Sequence, residues 1–224
     1  MPSDSLGSRV PVTAADVDDA VQLAIATVSE APSTNWNAQA ASLNWTCWET
    51  IEHLANALFF YATQLATTAT ANKVVPFACT PQRPNGPKNM IFADRATGPT
   101  GLLQVLNACS ALLVAAVHTS PPHIRAHHVF GAADPEGFAA MGVVETLVHT
   151  HDVAEGIGLI WTPPADLCDR VLARLFPHAP ANTTRWHTLL WATGRAELPD
   201  RPRLTTWRWY GSPPATKTAG TTTT

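Results

Sequence analysis

The sequence predicts a mainly α fold: a four-helix bundle with long crossover connections, followed by a short α/β C-terminal extension. Three observations carry this expectation. Four segments repeat apolar residues at helical spacing. Capping residues stand where those segments begin. Two long stretches, rich in Pro or His, separate the segments and cannot continue a helix.

The first helix opens at Thr13. Thr13 and Asp16 resemble a capping box, and Val17, Val21, Ala24 and Val28 follow on one face. Residues 1–12 read as a loose leader, and Pro32 to Asn44 as a linker. The second helix is marked by Thr46 and Glu49, a T-x-x-E box. Trp48, Ile51, Ala55, Leu58, Ala62 and Leu65 then form an apolar stripe. Lys73 to Pro99 carries repeated Pro and Gly and is an excursion, with one short strand expected near Asn89–Phe92. The third helix is expected from Thr100 to His118. The His-bearing stretch after it ends at Asp134, an N-cap, and Pro135 suits the first position of the fourth helix. That helix should run to about Glu155, with Gly156 and Gly158 ending it.

Two shorter helices follow, Pro164–Phe176 and Thr184–Ala192, and the alternation of Arg203–Tyr210 predicts a strand. The expected organisation is a bundle over residues 1–160, an extension over 161–215 and a disordered tail over 216–224.

Composition narrows the function. The chain has 224 residues, 46% hydrophobic and 14% charged, with a formal net charge of −3. A sizeable core is available, and no Lys/Arg run stands out, so no nucleic-acid partner is expected. The longest apolar run, Ala108–Val117, is interrupted by Cys109 and Ser110 and is shorter than a membrane span, so no membrane partner is expected. The N-terminus lacks a signal pattern, and a cytoplasmic location is expected. Cys47, Cys79, Cys109 and Cys168 are far apart and read as free, mostly buried thiols. Scarce Lys with abundant Ala, Thr and Pro suggests a GC-rich genome.

The chemistry concentrates on the fourth helix. Glu145, His149 and Asp152 stand at i, i+4 and i+7, within about 60° of one another around the axis. Met141 and Val148 border the same face, so this polar stripe should point inward. His151 lies on the other side and should be solvated. On the second helix His53 stands among apolar residues, with Glu49 and Asn56 a turn to either side. One His from one helix plus E-x-x-x-H from another offers two nitrogens and an oxygen. That set suits Zn²⁺ first, with Ni²⁺ or Fe²⁺ as alternatives, and three protein ligands leave a position open. Alone, E-x-x-x-H is a weak pattern, and a Glu–His pair on a helix surface gives the same spacing. A lone His53 also fits a packed core histidine.

The run Trp45-Thr46-Cys47-Trp48-Glu49-Thr50-Ile51-Glu52-His53-Leu54 resembles the W-[ST]-x-x-E-x-x-x-H-[LI] signature of the DinB-like superfamily. With Glu145, His149 and Asp152 it is similar to the branch of mycothiol-dependent maleylpyruvate isomerases. The resemblance covers roughly residues 13–160 and implies a DinB-like bundle, with His53, Glu145 and His149 as metal ligands. Asp152 is the candidate catalytic residue, orienting His149 or a bound water; a helix-face salt bridge is the alternative. The resemblance further implies an actinobacterial enzyme with mycothiol as co-substrate, either an isomerase or a thiol S-transferase. Its thiolate, activated on the metal, would be transferred to a small electrophile or would isomerise it. After about residue 160 the sequence departs from the family, whose C-terminal domain carries a functional arginine. Arg195, Arg203 and Arg208 are the candidates for it here.

Other residues are expected to matter less. His123, His127 and His128 read as surface loop histidines, Cys47 as a core thiol, and Trp36, Trp186 and Trp191 as packing residues. Arg83, Lys88 and Arg95 of the excursion are expected to form a polar mouth for the thiol. A monomer or homodimer is expected, with a small-molecule substrate and the thiol as partners. Two other readings stay open: a metal enzyme that activates water or a substrate oxygen without thiol, and a non-enzymatic metal-binding stress protein.

Overall fold

The computed structural model describes residues 9–31, 33–67 and 73–213. The expected tail over 216–224 and the first eight residues of the expected leader lie outside them. Four helices form the bundle: α1 (Ala14–Val28), α2 (Cys47–Leu65), α3 (Gly98–Thr119) and α4 (Pro135–Ile157). α1 and α2 each pack on both α3 and α4. Two helices follow, α5 (Ala165–Leu175) and α6 (Arg185–Ala192), which pack on each other, with α5 also on α4. The fold is mainly α, as the periodicity predicts.

Local signals set the helix starts. Both capping boxes form: Thr13 with Asp16, and Thr46 with Glu49. Asp134 accepts from the Gly137 amide at 2.8 Å, with Pro135 in the first turn of α4. Gly158, at φ 75°, ends α4 in the left-handed conformation that glycine adopts without strain. Val12 is buried, and its amide donates to Glu136 at 3.0 Å, while Arg9 pairs with the same carboxylate. Residues 9–12 are thus anchored rather than loose.

All four bundle helices meet at Gly142 of α4. A methyl group there would lie 2.7 Å from Leu113, 3.3 Å from Leu58 and 3.9 Å from Val17, one residue from each other helix. The absent side chain lets α4 sit at the centre of the bundle, and Leu58, Leu113, Val17 and Phe138 are fully buried there.

Three expectations are corrected. The excursion holds a pair of two-residue strands, β1 (Thr80–Pro81) and β2 (Lys88–Asn89), antiparallel with Thr80 opposite Asn89. β2 does not run on to Phe92, because α2 captures the chain. Asn56 accepts from the Met90 amide at 2.7 Å, and Glu52 from the Ala93 amide at 3.0 Å. Secondly, Arg203–Tyr210 forms no strand, so the extension lacks the expected β part. Its backbone groups find other partners: the Tyr210 amide donates to Leu175 O, and the buried Arg174 guanidinium donates to the Tyr210 and Gly211 carbonyls. Thirdly, Arg95–Thr119, which includes α3, is long and apolar enough to cross a membrane by length and composition. Cys109 and Ser110, which interrupt that run in the sequence, are both buried against the bundle.

Candidate metal centre

The two caps fix the phase of α2 and α4, and the phase brings their polar residues together. His53 of α2 and Glu145 and His149 of α4 each present a ligand atom, and these atoms lie within 4.8 Å of one another. The two imidazole rings are 5.3 Å apart between centroids and perpendicular. The inward placement of both polar stripes is therefore observed.

Each of the three is held by a further group. His149 Nε2 lies 3.1 Å from Glu145 Oε2, and its Nδ1 lies 3.0 Å from Asp152 Oδ2. Arg195 closes the far side of Asp152 with a two-pronged contact, Nε to Oδ1 at 2.9 Å and Nη2 to Oδ2 at 2.6 Å. The Tyr61 hydroxyl donates to Glu145 Oε1 at 3.0 Å. His53 Nδ1 lies 3.4 Å from Asn89 Oδ1. With both Nδ1 atoms so engaged, the Nε2 atoms are the nitrogens left to bind an ion. Trp45 covers the pair, its ring centroid 4.7 Å from that of His53 and 6.4 Å from that of His149.

Burial and charge act against each other here. Burial, helped by the neighbouring His149, pushes His53 down to about 4, so it is neutral near pH 7. Burial raises the Glu145 carboxyl, but His149, His53 and the Tyr61 hydroxyl outweigh it and hold it at about 2. Burial likewise opposes the Asp152 charge, and His149 and Arg195 overcome it, again at about 2. For His149 burial favours the neutral ring, but Asp152 and Glu145 raise its pKa. The half-buried Glu145 and the buried Asp152 thus stay ionised beside a neutral His53. This donor set of two nitrogens and one anionic oxygen fits a divalent ion such as Zn²⁺, Ni²⁺ or Fe²⁺.

The remaining sequence candidates separate clearly. Among the three arginines, Arg195 reaches the cluster through Asp152. Arg203 bonds Gly194 O and Ser42, and Arg208 bonds Phe130 O and lies over the Phe130 and Tyr210 rings. Gly194, at φ 70°, makes the turn after α6 that returns Arg195 to Asp152. Arg83 is tied to Glu49 at 2.6 and 2.8 Å and to Asn44 O, and Arg95 lies over Trp48, while Lys88 is exposed. Cys47 is buried, and burial pushes its thiol up to about 11, which fits a core thiol. Cys79, by contrast, is exposed.

Two histidine expectations are corrected. His128 is buried at 6% exposure, not a surface loop residue: its Nδ1 accepts the Phe130 amide at 3.1 Å, and its ring packs against Tyr61 and Trp209. His151 is half-buried against the Trp186 ring rather than fully solvated.

Sequence reasoning passed over Tyr61, Asn89 and Trp45. Tyr61 follows His53 by two helical turns on the same face, a spacing that could have flagged it. Trp45 stands just ahead of the α2 cap. Asn89 lies in the excursion with no local signal, since only the fold brings it to His53.

No family model matches the chain, and no curated protein matches it. A structural likeness is clear. The chain is similar to a solved structure described as the crystal structure of the mycothiol-dependent maleylpyruvate isomerase, with a TM-score of 0.56 and 14% sequence identity. The match covers 85% of this chain and 95% of that one. Residues 1–160 of a 224-residue chain could not supply so large a share, so the likeness continues into the C-terminal extension. The chain thus shares the helical fold of that structure.

Proposed function

We propose that this protein is a metal-dependent enzyme that uses a low-molecular-weight thiol, mycothiol, to transfer sulfur to a small electrophile or to isomerise it. The convergence of His53, Glu145 and His149 within 4.8 Å carries the reading. A divalent ion held by these three donors would supply Lewis acidity, lowering the pKa of a thiol brought to it. Zn²⁺ is the ion we favour. The reported activity of the isomerase that shares the fold supports the choice of thiol.

The chain's own residues prepare the site. Asn89 fixes His53, and Asp152 fixes His149, each through Nδ1. Asp152 is a positioning residue, and Arg195 keeps it ionised. Tyr61 holds one oxygen of Glu145 and leaves the other facing the histidines. Burial keeps the Cys47, Cys109 and Cys168 thiols protonated, and in this reading the nucleophile comes from solution.

The test is to load the purified protein with Zn²⁺ and supply mycothiol with a panel of Michaelis acceptors, epoxides and cis-enedioic acids. The expected result is conjugation or isomerisation that needs the thiol and is lost in His53→Ala. Turnover that proceeds equally well without thiol would move the reading to activation of water. Turnover no faster than with the variant would leave a non-enzymatic metal protein.

A further inference from the structure

Beside the histidine pair lies a cleft of about 250 Å³, lined by Asn37, Gln39, Asn44, Trp45, Thr46 and Arg83. Trp45 belongs to both places: it lines the cleft and touches His53 and His149. We infer that this cleft binds the uncharged, polyhydroxylated part of the thiol co-substrate, a sugar or cyclitol ring. The inference rests on the thiol reading given above.

The lining selects the ligand class. Side-chain amides from Asn37, Gln39 and Asn44, and the Thr46 hydroxyl, supply paired donors and acceptors, which suit an array of hydroxyl groups. The Asn37 and Asn44 side chains are exposed, and among the described residues neither amide has a hydrogen-bond partner. One aromatic wall, Trp45, offers the flat apolar surface that a ring's C–H face covers. The charge is already spent. Arg83 gives Nε and Nη2 to the Glu49 carboxylate, which holds that carboxyl below its usual range. The other lining residues carry no charge, so the cleft is close to neutral. A phosphate-bearing thiol or one with free carboxylates, such as glutathione, would find no unpaired cation there. An apolar ligand would strand the amides.

The cleft is also built firmly. The loop between Gln39 and Thr46 closes on itself, with the Ala40 amide donating to Trp45 O at 2.9 Å and the Cys47 amide to Ala38 O at 2.8 Å. Ala41 within it sits at φ 44°, a conformation an alanine adopts only when its surroundings demand it. Gly156 near the end of α4 makes room for this loop: a methyl group there would lie 2.3 Å from Gln39 O and 2.8 Å from Cys47 Sγ. The helix that carries Glu145 and His149 therefore also seats the loop that carries Trp45 and the amides.

The test uses ligands with the sulfur blocked, so that binding is read without turnover. Calorimetry on Zn²⁺-loaded protein compares S-methylmycothiol, S-methylglutathione and glucosaminyl-inositol, which lacks the cysteine altogether and is used with its amine acetylated so that it stays uncharged. Wild type should bind S-methylmycothiol at least tenfold more tightly than S-methylglutathione, with glucosaminyl-inositol competing. Asn37→Ala/Asn44→Ala removes two exposed amides with no structural partner. It should lose at least tenfold in affinity for both sugar ligands and keep its metal content. Unchanged affinity in that variant, a preference for S-methylglutathione, or no binding of either sugar ligand to wild type would overturn the assignment. The two readings fail separately. If mycothiol drives turnover while the variant binds as wild type does, only the cleft assignment falls. If glucosaminyl-inositol binds and the variant abolishes it, yet no reaction needs thiol, the cleft stands as a polyol site and the thiol reading falls.

Discussion

Helix α4 has two halves with opposite physics. Around Gly142 it touches a residue from each of α1, α2 and α3, and every neighbour is apolar and buried. About one to three turns later, from Glu145 to Asp152, it carries two ionised carboxylates and an imidazole inward. The first half gains from every buried methylene. The second spends stability on desolvating charge and recovers it only through Tyr61, Arg195 and a close set of partners. Such a division separates what holds the bundle from what the bundle is built to hold.

The largest expected effect breaks the polar half. Glu145→Ala should take bound metal from about one ion per chain to near zero, measured by elemental analysis after dialysis without chelator. Retained stoichiometry would sink the ligand assignment. Helicity by circular dichroism should persist, because the apolar half is untouched.

The converse change lies on the apolar half. Leu58→Ala opens a cavity beside Gly142 and should cost about 2–5 kcal/mol in denaturant unfolding. Metal stoichiometry of the folded variant should not change. A loss of metal in step with stability would show that the two halves of α4 are not separable.

A subtler cut sharpens the comparison. Arg195→Met keeps much of the side chain's bulk but removes both hydrogen bonds to Asp152. Asp152 is 3% exposed and would keep only His149 as its partner. Metal affinity should fall by about 10- to 100-fold, the usual scale for losing a group that orients a ligand. With Co²⁺ in place of Zn²⁺ the visible absorption spectrum should shift, and Arg195→Lys should restore part of the affinity. An unaltered spectrum with reduced stability would assign Arg195 a purely structural role.

These two halves also differ in how far the sequence reveals them. The apolar stripes and the caps at Thr13, Thr46 and Asp134 are local signals, and they place the four bundle helices to within a few residues. Spacing likewise puts Glu145, His149 and Asp152 on one face, because helical phase is a local property. What the sequence hides is held by contacts between distant segments. Asn89 reaches His53 because Glu52 and Asn56 pin the excursion onto α2. Arg195 reaches Asp152 through a turn at Gly194, and nothing near it in sequence distinguishes it from Arg203 or Arg208. His128 looks like a loop histidine because its cover, Trp209, arrives from the C-terminal segment. That segment alternates like a strand but has no strand beside it, so Arg174 and Leu175 take its backbone groups instead.

The smallest expected effect concerns that same buried histidine and appears as a slope. Burial holds His128 neutral, with its pKa pushed down to about 4 from an ordinary 6.5. Between those values the unfolded chain takes up a proton that the folded chain refuses, so stability must fall as pH falls through this window. His53 behaves in the same direction in the metal-free protein, and His149, whose pKa is raised, acts against both. His128→Phe removes one of the acid-sensitive groups while keeping a ring against Tyr61, Phe130 and Trp209. The variant should lose roughly 1 kcal/mol at neutral pH, because the Phe130 amide loses its acceptor. Its unfolding free energy should nevertheless decline less steeply between pH 6.5 and 4, by up to about one proton's worth of slope. Denaturant unfolding of metal-free wild type and variant across that range gives both slopes. Parallel lines would mean that His128 is protonated in the folded protein as readily as in the unfolded chain, and the packing of Trp209 over it would then not exclude water.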